Sequence, residues 1–206
     1  MSFLASLDVP DAMTAALEVA YTIPARAYHD LTHIRQVWQR YEEVAKGPGW
    51  SQPCETLLAV LYHDAVYVPG RSDNETCSAA LAYAHITRWL PNAKIDAMRV
   101  SELITLTARH GNFTPTDFGV TQEAADTRHF LDCDMSILGA PAQVFDRYNR
   151  AIAEEYRNVL APGEFQRRRQ AFLRALLARE RIFLSDYFHA RLDARARVNI
   201  ARAIRQ

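Results

Sequence analysis

Apolar residues recur along most of this 206-residue chain at spacings of three and four, which is the pattern of amphipathic helices. Prolines and glycines interrupt the pattern at intervals, where helices are expected to end. No run of alternating polar and β-branched residues is long enough to predict a strand, and no internal repeat is visible. The pattern therefore predicts an all-α fold, and the length suits a single-domain helical bundle over residues 1–206.

The stops divide the chain into successive predicted helices. They run from Asp8 or Asp11 to Pro24, from about His29 to Gly47, from Leu57 to Tyr67, from Glu75 to Leu90, from Ile95 to His110, from Gln122 to Gly139, from Pro141 to Pro162, from Glu164 to about Arg179 and from Asp193 onwards. A short apolar piece precedes the last helix, and the segment from Phe113 to Val120 is predicted to be irregular. In the fifth helix, Met98 and Leu103 are among the residues predicted to face inward.

The third predicted helix is apolar on all sides, which is typical of a helix in the middle of a fold. It nevertheless contains His63 and Asp64 side by side. Removing an ionised carboxylate from water costs several kcal/mol unless a partner or a metal compensates it. The pair therefore predicts a bound cation, and a hydrogen-bonded core pair is the alternative that the dipeptide alone leaves open.

Composition and charge exclude several classes of protein. Aliphatic and aromatic residues make up 49% of the chain, which favours a sizeable core over disorder, and the formal net charge is zero. We therefore expect neither a membrane partner nor a dedicated nucleic-acid surface, whereas a homo-oligomer is compatible with these features. No apolar run approaches the roughly twenty residues of a membrane span and no signal peptide is recognisable, so a cytoplasmic protein is expected.

Four ionisable side chains lie on three apolar-faced helices, with His33 on the second, His63 and Asp64 on the third and Asp134 on the sixth. Helices of a bundle can bring such side chains to one interior point. Two imidazoles and two carboxylates suit one divalent Mn, Fe, Co, Ni or Zn ion, with Mg as a further candidate and with positions left open for water. The metal-site core is predicted to span about residues 26–140, with C-terminal helices over 141–206 packed on it.

These residues also carry a resemblance to a known family. The order His33, His63-Asp64, Asp134 matches the H…HD…D pattern of the HD superfamily of metal-dependent phosphohydrolases, and Tyr28-His29-x-x-x-His33 is similar to a signature of its cyclic-nucleotide phosphodiesterases. Over nearly its whole length the chain resembles a compact bacterial subgroup of that superfamily. The matching segments are Asn74-Glu75-x-x-Ser78-Ala79, Asp132-x-Asp134-Met135-Ser136-Ile137-Leu138-Gly139, Glu155-Tyr156 and Arg195-x-x-x-Asn199.

The resemblance implies an HD-type fold and hydrolysis of a phosphate ester in a small phosphorylated substrate, such as a nucleotide, by metal-activated water. It makes His29, Asp64 and Glu75 candidate catalytic residues, with His29 as the general acid. Tyr67 and Arg71 lie on the loop after the His-Asp pair and are candidates for substrate binding. His110, at the end of a predicted helix, is a further candidate.

Simpler roles stay open for several of these residues. Arg71 would otherwise be a surface residue, and Glu75 would compensate the dipole at the start of its helix. His29 would otherwise hydrogen-bond Asp30 or a backbone carbonyl. For His110, a structural or phosphate-facing role competes with metal ligation.

Two further choices depend on spacing and on the resemblance. Asp132 and Asp134 diverge by about 200° on a helix, so only one can face the site. The resemblance favours Asp134 as the ligand and leaves Asp132 as a cap or as support for a ligand. HD proteins with two metals carry an extra His where this chain has Asn74-Glu75, so one metal is expected.

A non-catalytic nucleotide-binding module and an iron-dependent HD-type oxygenase are the alternative functions.

Overall fold

The computed structural model describes residues 3–161 and 163–205, and over these residues it contains helices and turns but no strand. The predicted all-α fold is therefore confirmed. The α-helices are α1 (Asp11–Thr22), α2 (Leu31–Lys46), α3 (Pro53–Tyr62), α4 (Asn74–Trp89), α5 (Ala97–Leu106), α6 (Gln122–Met135), α7 (Ala142–Glu155), α8 (Glu164–Leu177) and α9 (Asp186–Ile204). Short 3₁₀ turns lie at Phe3–Ser6, Thr107–Asn112, Pro115–Asp117 and Ser136–Gly139. None of the described helices is both long and apolar enough to span a bilayer.

The chain divides into two compact units, one ending at Ala108 and the other beginning at Arg109. The first unit contains α1 to α5, and the second contains α6 to α9. The predicted single domain, with a metal-site core over about residues 26–140, stays a prediction.

The first unit is built around α3, as the apolar sequence of this helix predicts. Leu58, Ala59, Val60, Leu61 and Tyr62 are all buried, and α3 packs against α2, α4 and α5. Full burial of one large aliphatic side chain is worth about 1.5–3 kcal/mol relative to exposure. Packing on all sides therefore fixes the position of the residues that follow the C-terminal end of α3.

α2 begins two residues later than predicted because Asp30 is its N-cap. The Asp30 carboxylate accepts hydrogen bonds from the backbone N–H groups of Thr32 at 2.7 Å and His33 at 3.2 Å. Such a cap satisfies the first N–H groups of a helix. Leu31 is therefore the first helical residue, and His29 lies in the preceding turn. The prediction that this helix includes His29 is therefore wrong.

α3 begins and ends earlier than predicted. Its first residue is Pro53, which is favoured at a helix start because it has no N–H group to satisfy, and it ends at Tyr62 rather than Tyr67. His63 is the C-cap, and Asp64 lies in the turn beyond it. The His-Asp pair therefore follows an interior helix and does not lie within one.

α5 is shorter than predicted. It ends at Leu106, and the 3₁₀ turn that follows loses helical geometry at Arg109, where φ is −131°. The predicted continuation to His110 is therefore wrong. Met98 is 67% exposed, so its predicted inward orientation is also wrong, whereas Leu103 is buried as expected.

Two helices of the second unit also differ in their bounds. α9 begins at Asp186 rather than Asp193, because the Ser185 side chain accepts a hydrogen bond from the Phe188 N–H group and caps the helix there. α7 ends at Glu155. The predicted end of the seventh helix, Pro162, lies outside the described residues.

The turn after α6 packs closely against α9. Asn199 donates hydrogen bonds to the carbonyl oxygens of Leu138 at 2.9 Å and Ala140 at 2.8 Å. A Cβ atom on Gly139 would lie only 2.7 Å from the Cβ of Leu192, so glycine permits this approach. Packing within the second unit is therefore one role of two segments that carry the resemblance, D-x-D-x-S-I-L-G from Asp132 and R-x-x-x-N from Arg195.

Asp132 binds the backbone that leads into α9. Its carboxylate accepts hydrogen bonds from the N–H group of Leu184 at 2.8 Å and from the N–H and hydroxyl groups of Ser185 at 2.7 and 2.6 Å. Burial raises the pKa of Asp132 to about 7, in opposition to these hydrogen bonds. Asp132 therefore caps the segment before α9, which is one of the two roles predicted for it.

A second buried carboxylate, Asp193, anchors the same segment. It accepts hydrogen bonds from the N–H groups of Ile182 at 2.7 Å and Phe183 at 3.4 Å, and it pairs with Arg197 at 2.7 Å and His189 at 3.2 Å. Burial acts to raise the pKa of Asp193, but the hydrogen bonds outweigh burial and the net shift is downward. The ionised form therefore stabilises the folded state.

Asp193→Asn is expected to lower the free energy of unfolding by about 2–4 kcal/mol at neutral pH, because Arg197 loses a charged partner. Since the folded-state pKa is lowered, the carboxylate stabilises the fold above about pH 4, and this contribution is lost as the pH falls through the folded-state pKa. Urea unfolding at neutral pH and at about pH 3 should show a difference between wild type and variant that shrinks on acidification. A difference that is constant or grows would contradict this role.

Glu154→Gln is the matched control, because it removes an exposed carboxylate that pairs with Arg157 on the surface of α7. Surface ion pairs contribute little to the stability of a fold. This change should therefore alter the free energy of unfolding by less than about 0.5 kcal/mol at either pH.

Candidate metal centre

Three side chains of the first unit direct one ligand atom each towards a common point. His33 lies in the first turn of α2, and His63 and Asp64 follow the end of α3. The Nε2 atoms of His33 and His63 are 3.1 Å apart. Oδ2 of Asp64 lies 3.3 Å from His33 Nε2 and 3.2 Å from His63 Nε2. Together these three atoms could hold a metal ion.

The spacing of these donors fits a divalent transition metal. Zinc binds imidazole nitrogen and carboxylate oxygen at about 2.0–2.2 Å, so two of its ligands are about 3.0 Å apart at a right angle and about 3.4 Å apart at a tetrahedral angle. All three separations, between 3.1 and 3.3 Å, fall in this interval. Two imidazoles and one carboxylate suit Mn, Fe, Co, Ni or Zn better than Mg, which prefers oxygen ligands.

His63 is oriented by the helix that precedes it. Its Nδ1 lies 3.0 Å from the carbonyl oxygen of Val60, and because a carbonyl can only accept, Nδ1 carries the hydrogen in this bond. In the neutral ring, Nε2 is then the basic nitrogen, and it faces His33 and Asp64. A bond of this kind from the second ring nitrogen orients metal-binding histidines. The C-terminal end of α3 also favours a cation through the helix dipole.

Asp64 supplies the negative charge of the cluster, and its side chain is 14% exposed. Burial acts to raise the pKa of Asp64, but the charges of His63 and His29 and hydrogen bonds with His33 and His63 outweigh burial. The pKa is therefore held well below its usual range. The carboxylate is ionised at neutral pH, as metal ligation requires.

His29 lies beside this cluster. Its ring centroid is 5.8 Å from that of His33, and it stacks on Tyr67 with a centroid separation of 3.9 Å. Tyr28 contacts the ring edge-on at 5.0 Å. Two of the predicted residues, His29 and Tyr67, are therefore in direct contact, with His33 next to them.

The loop that follows α3 is held by side chains of α4. Asn74 accepts a hydrogen bond from the Val68 N–H group and donates one to the Val68 carbonyl oxygen, both at 3.0 Å. The Ser78 hydroxyl makes the same pair of bonds with Val66, at 3.0 and 3.1 Å. Tyr67 lies between these two anchored residues. Asn74 and Ser78 lie four residues apart on α4 and are therefore neighbours on one face of this helix.

Arg71 and Glu75 occupy positions that agree with their simpler predicted roles. Arg71 is exposed on the loop before α4 and pairs with Asp73 through two contacts, of 2.8 and 2.6 Å. Glu75 is half-buried in the first turn of α4, where a negative charge suits the helix dipole. Substrate binding by Arg71 and catalysis by Glu75 stay predictions.

The other two predicted site residues belong to the second unit. His110 Nδ1 lies 2.7 Å from Asp134 Oδ2, and the Asp134 side chain is largely buried. The pair joins the 3₁₀ turn Thr107–Asn112 to the last turn of α6. The assignments of Asp134 as the fourth metal ligand and of His110 as a substrate-binding residue stay predictions.

Comparisons with known proteins leave the family of the chain open. No protein-family model, no curated protein and no solved structure matches the chain significantly. The resemblance to the HD superfamily therefore depends on the sequence segments quoted above, and membership of that superfamily stays a prediction.

Arg26 contacts the backbone around the site and was not predicted from the sequence. Its guanidinium donates hydrogen bonds to the carbonyl oxygens of Asp64 at 2.6 Å and His29 at 2.9 Å. The residue lies between α1 and α2, outside every segment that carries the resemblance. Its position three residues before His29 gave no indication of a bond to Asp64, which is distant in the sequence.

Proposed function

We propose that the protein is a metal-dependent phosphohydrolase that acts on a small phosphorylated substrate, such as a nucleotide, with one divalent metal ion bound by His33, His63 and Asp64. The observation that carries the proposal is the convergence of two imidazole nitrogens and one ionised carboxylate oxygen within 3.3 Å of one another. The proposal is also supported by the resemblance of the H…HD…D and Y-H-x-x-x-H segments to the HD superfamily.

The donor set suits hydrolysis because three protein ligands leave coordination positions open for water and substrate. When bound, a divalent ion lowers the pKa of a coordinated water towards neutrality and offsets negative charge that develops on a phosphoryl group. The protein contributes the buried donors, the orientation of His63 by Val60 and the anchored loop that carries Tyr67.

His29 is proposed as the general acid that protonates the departing oxygen of the substrate. Its ring lies beside His33, and the stacked Tyr67 ring fixes its plane. Histidine is the side chain that most often serves as a general acid or base. Glu75, Arg71 and His110 remain the other proposed contributors, on the basis of the resemblance and of their places in the sequence.

Asn74 favours a one-metal hydrolase over an iron-dependent oxygenase. HD proteins with two metals have an extra His at this point of the chain, whereas here both ends of the Asn74 amide are engaged by the Val68 backbone. The side chain therefore has a structural function in the loop. A non-catalytic binding module would use the same donors, and it differs from the proposed enzyme in having no turnover.

The proposal predicts metal-dependent phosphate release. Protein stripped with a chelator and reloaded with Mn, Fe, Co, Ni, Zn or Mg should release phosphate from at least one member of a panel of nucleotides and sugar phosphates. The rate should exceed that of the stripped protein by at least about 100-fold, because the metal supplies the nucleophile and stabilises charge. Release is measured by a colorimetric phosphate assay.

His33→Ala protein, purified in parallel, controls for a contaminating phosphatase and should show no metal-dependent release. Metal binding without turnover on the whole panel would contradict the proposal in favour of the binding module. Oxygen consumption by the anaerobically iron-loaded protein would contradict it in favour of the oxygenase.

A further inference from the structure

A single guanidinium group in the first unit joins three segments of backbone around the candidate metal centre. Arg26 Nη1 donates hydrogen bonds to the carbonyl oxygens of His29 at 2.9 Å and Asp64 at 2.6 Å. Its Nη2 donates to the carbonyl oxygens of Ala20 at 2.7 Å and Ala65 at 3.0 Å. All four terminal N–H groups are therefore used, and each binds a backbone carbonyl.

The same guanidinium lies over two aromatic rings. The Arg26 Cζ atom is 5.3 Å from the ring centroid of Tyr21 and 5.8 Å from that of Tyr67. Tyr67 in turn stacks on His29, and the Tyr21 hydroxyl donates a hydrogen bond to the carbonyl oxygen of Leu61 at 2.9 Å. The cation thus lies over the ring that stacks on His29 and also donates a hydrogen bond to the His29 backbone.

We propose that Arg26 is a positioning residue of the metal centre. It holds the turn that contains Asp64 against the turn that contains His29, so that the carboxylate ligand and the candidate acid keep a fixed separation. It acts through carbonyl groups and not through the ligand atoms, so its effect on the metal is indirect. The inference relies on the proposed function only in requiring that the three donors bind a metal.

The geometry of the four hydrogen bonds requires arginine rather than any cation. A guanidinium is planar and presents its N–H groups as a rigid fork, whereas a lysine ammonium has three donors on a single nitrogen. Arg26→Lys would keep the positive charge but could not bridge four carbonyl groups on three segments. A change in metal affinity in this variant would therefore report geometry and not charge.

The test is titration of stripped protein with Co²⁺, followed by its visible absorption and by competition with a chelator. Arg26→Lys is expected to bind Co²⁺ about 10–100-fold more weakly than wild type, the range found when residues that orient metal ligands are removed. The absorption spectrum should also change, because the position of Asp64 relative to the two histidines changes. If the variant is unfolded in buffer alone, the titration is made in about 1 M trimethylamine N-oxide, which favours the folded state.

Arg197 offers a matched control in the second unit. Its guanidinium donates to the carbonyl oxygens of Leu177 at 3.1 Å, Arg179 at 2.8 Å and Glu180 at 2.6 Å, and it pairs with Asp193. Arg197→Lys should therefore reduce stability in urea at least as much as Arg26→Lys while leaving the Co²⁺ affinity and spectrum unchanged.

The outcomes separate this inference from the proposed function. Weakened Co²⁺ binding and an altered spectrum in Arg26→Lys alone would support the positioning role. Wild-type affinity in Arg26→Lys, within about twofold, would overturn that role while leaving the metal site intact. Equal weakening in both variants would also overturn it, because the effect would then be one of general stability. Failure of wild-type protein to bind Co²⁺ would overturn the metal centre itself and this inference with it.

Discussion

Asp64→Asn should abolish metal-dependent phosphate release and weaken metal binding by at least about 100-fold. The amide has nearly the shape of the carboxylate but no charge, and ligation requires the ionised group. Loss of a direct ligand should cost more than the 10–100-fold that is typical when a residue supporting a ligand is lost. Without the carboxylate, the Nε2 atoms of His33 and His63 would face each other at 3.1 Å without an anion to compensate a bound cation.

The measurement is the metal content of the purified variant together with a Zn²⁺ or Co²⁺ competition titration. Asp73→Asn is the matched control in the same unit, because Asp73 is exposed and pairs with Arg71 on the loop before α4. This control should bind metal as wild type does. Full metal occupancy in Asp64→Asn would show that the carboxylate is not a ligand.

The features of the fold that could be predicted are those that depend on many residues at once. The all-round apolarity of α3 indicated an interior helix, and no single residue decides that result. The helix ends could not be predicted as well, because each depends on one or two local hydrogen bonds. Asp30 and Ser185 both cap helices through such bonds, and Ser185 lies inside an apolar stretch whose spacing gave no helix start.

The candidate site likewise has features that could be predicted from the sequence and features that depend on individual tertiary hydrogen bonds. It could be predicted that the His63-Asp64 pair belongs to a group able to hold a metal ion, because the cost of burying a carboxylate does not depend on the details of packing. The roles of Arg26 and Asn74 could not be predicted, because their partners are backbone carbonyl and N–H groups whose positions depend on the path of a loop. Tertiary hydrogen bonds of this kind leave no periodic pattern in the sequence.

His29 shows how a local error in the predicted structure can leave a functional hypothesis intact. The residue was predicted to lie on α2 one turn before His33, but Asp30 caps the helix after it. The ring nevertheless lies 5.8 Å from that of His33, because the turn is held by the Arg26 bond to its carbonyl and by stacking on Tyr67. A position beside the three converging donors is what the proposed general acid would require.

His29→Ala is therefore expected to lower turnover by about 10²–10⁴-fold on substrates whose leaving group is an alkoxide, the usual contribution of a positioned general acid. On a nitrophenyl phosphate ester, whose leaving group needs little protonation, the loss should be less than about tenfold. Metal content and the free energy of unfolding should stay close to the wild-type values, since His29 is not one of the three converging donors. The measurement is kcat on both kinds of substrate, with metal analysis of the same preparation.

His85→Ala is the matched control, because His85 is a half-buried histidine of the same unit that bonds the Tyr62 hydroxyl and lies against Trp89. It should change turnover on the two substrates by the same small factor. Equal losses on both substrates in His29→Ala would show that His29 does not protonate the leaving group. Loss of metal together with activity would show that the His29 ring, stacked on Tyr67, supports the ligands structurally, and the proposed mechanism would then require another source for the proton.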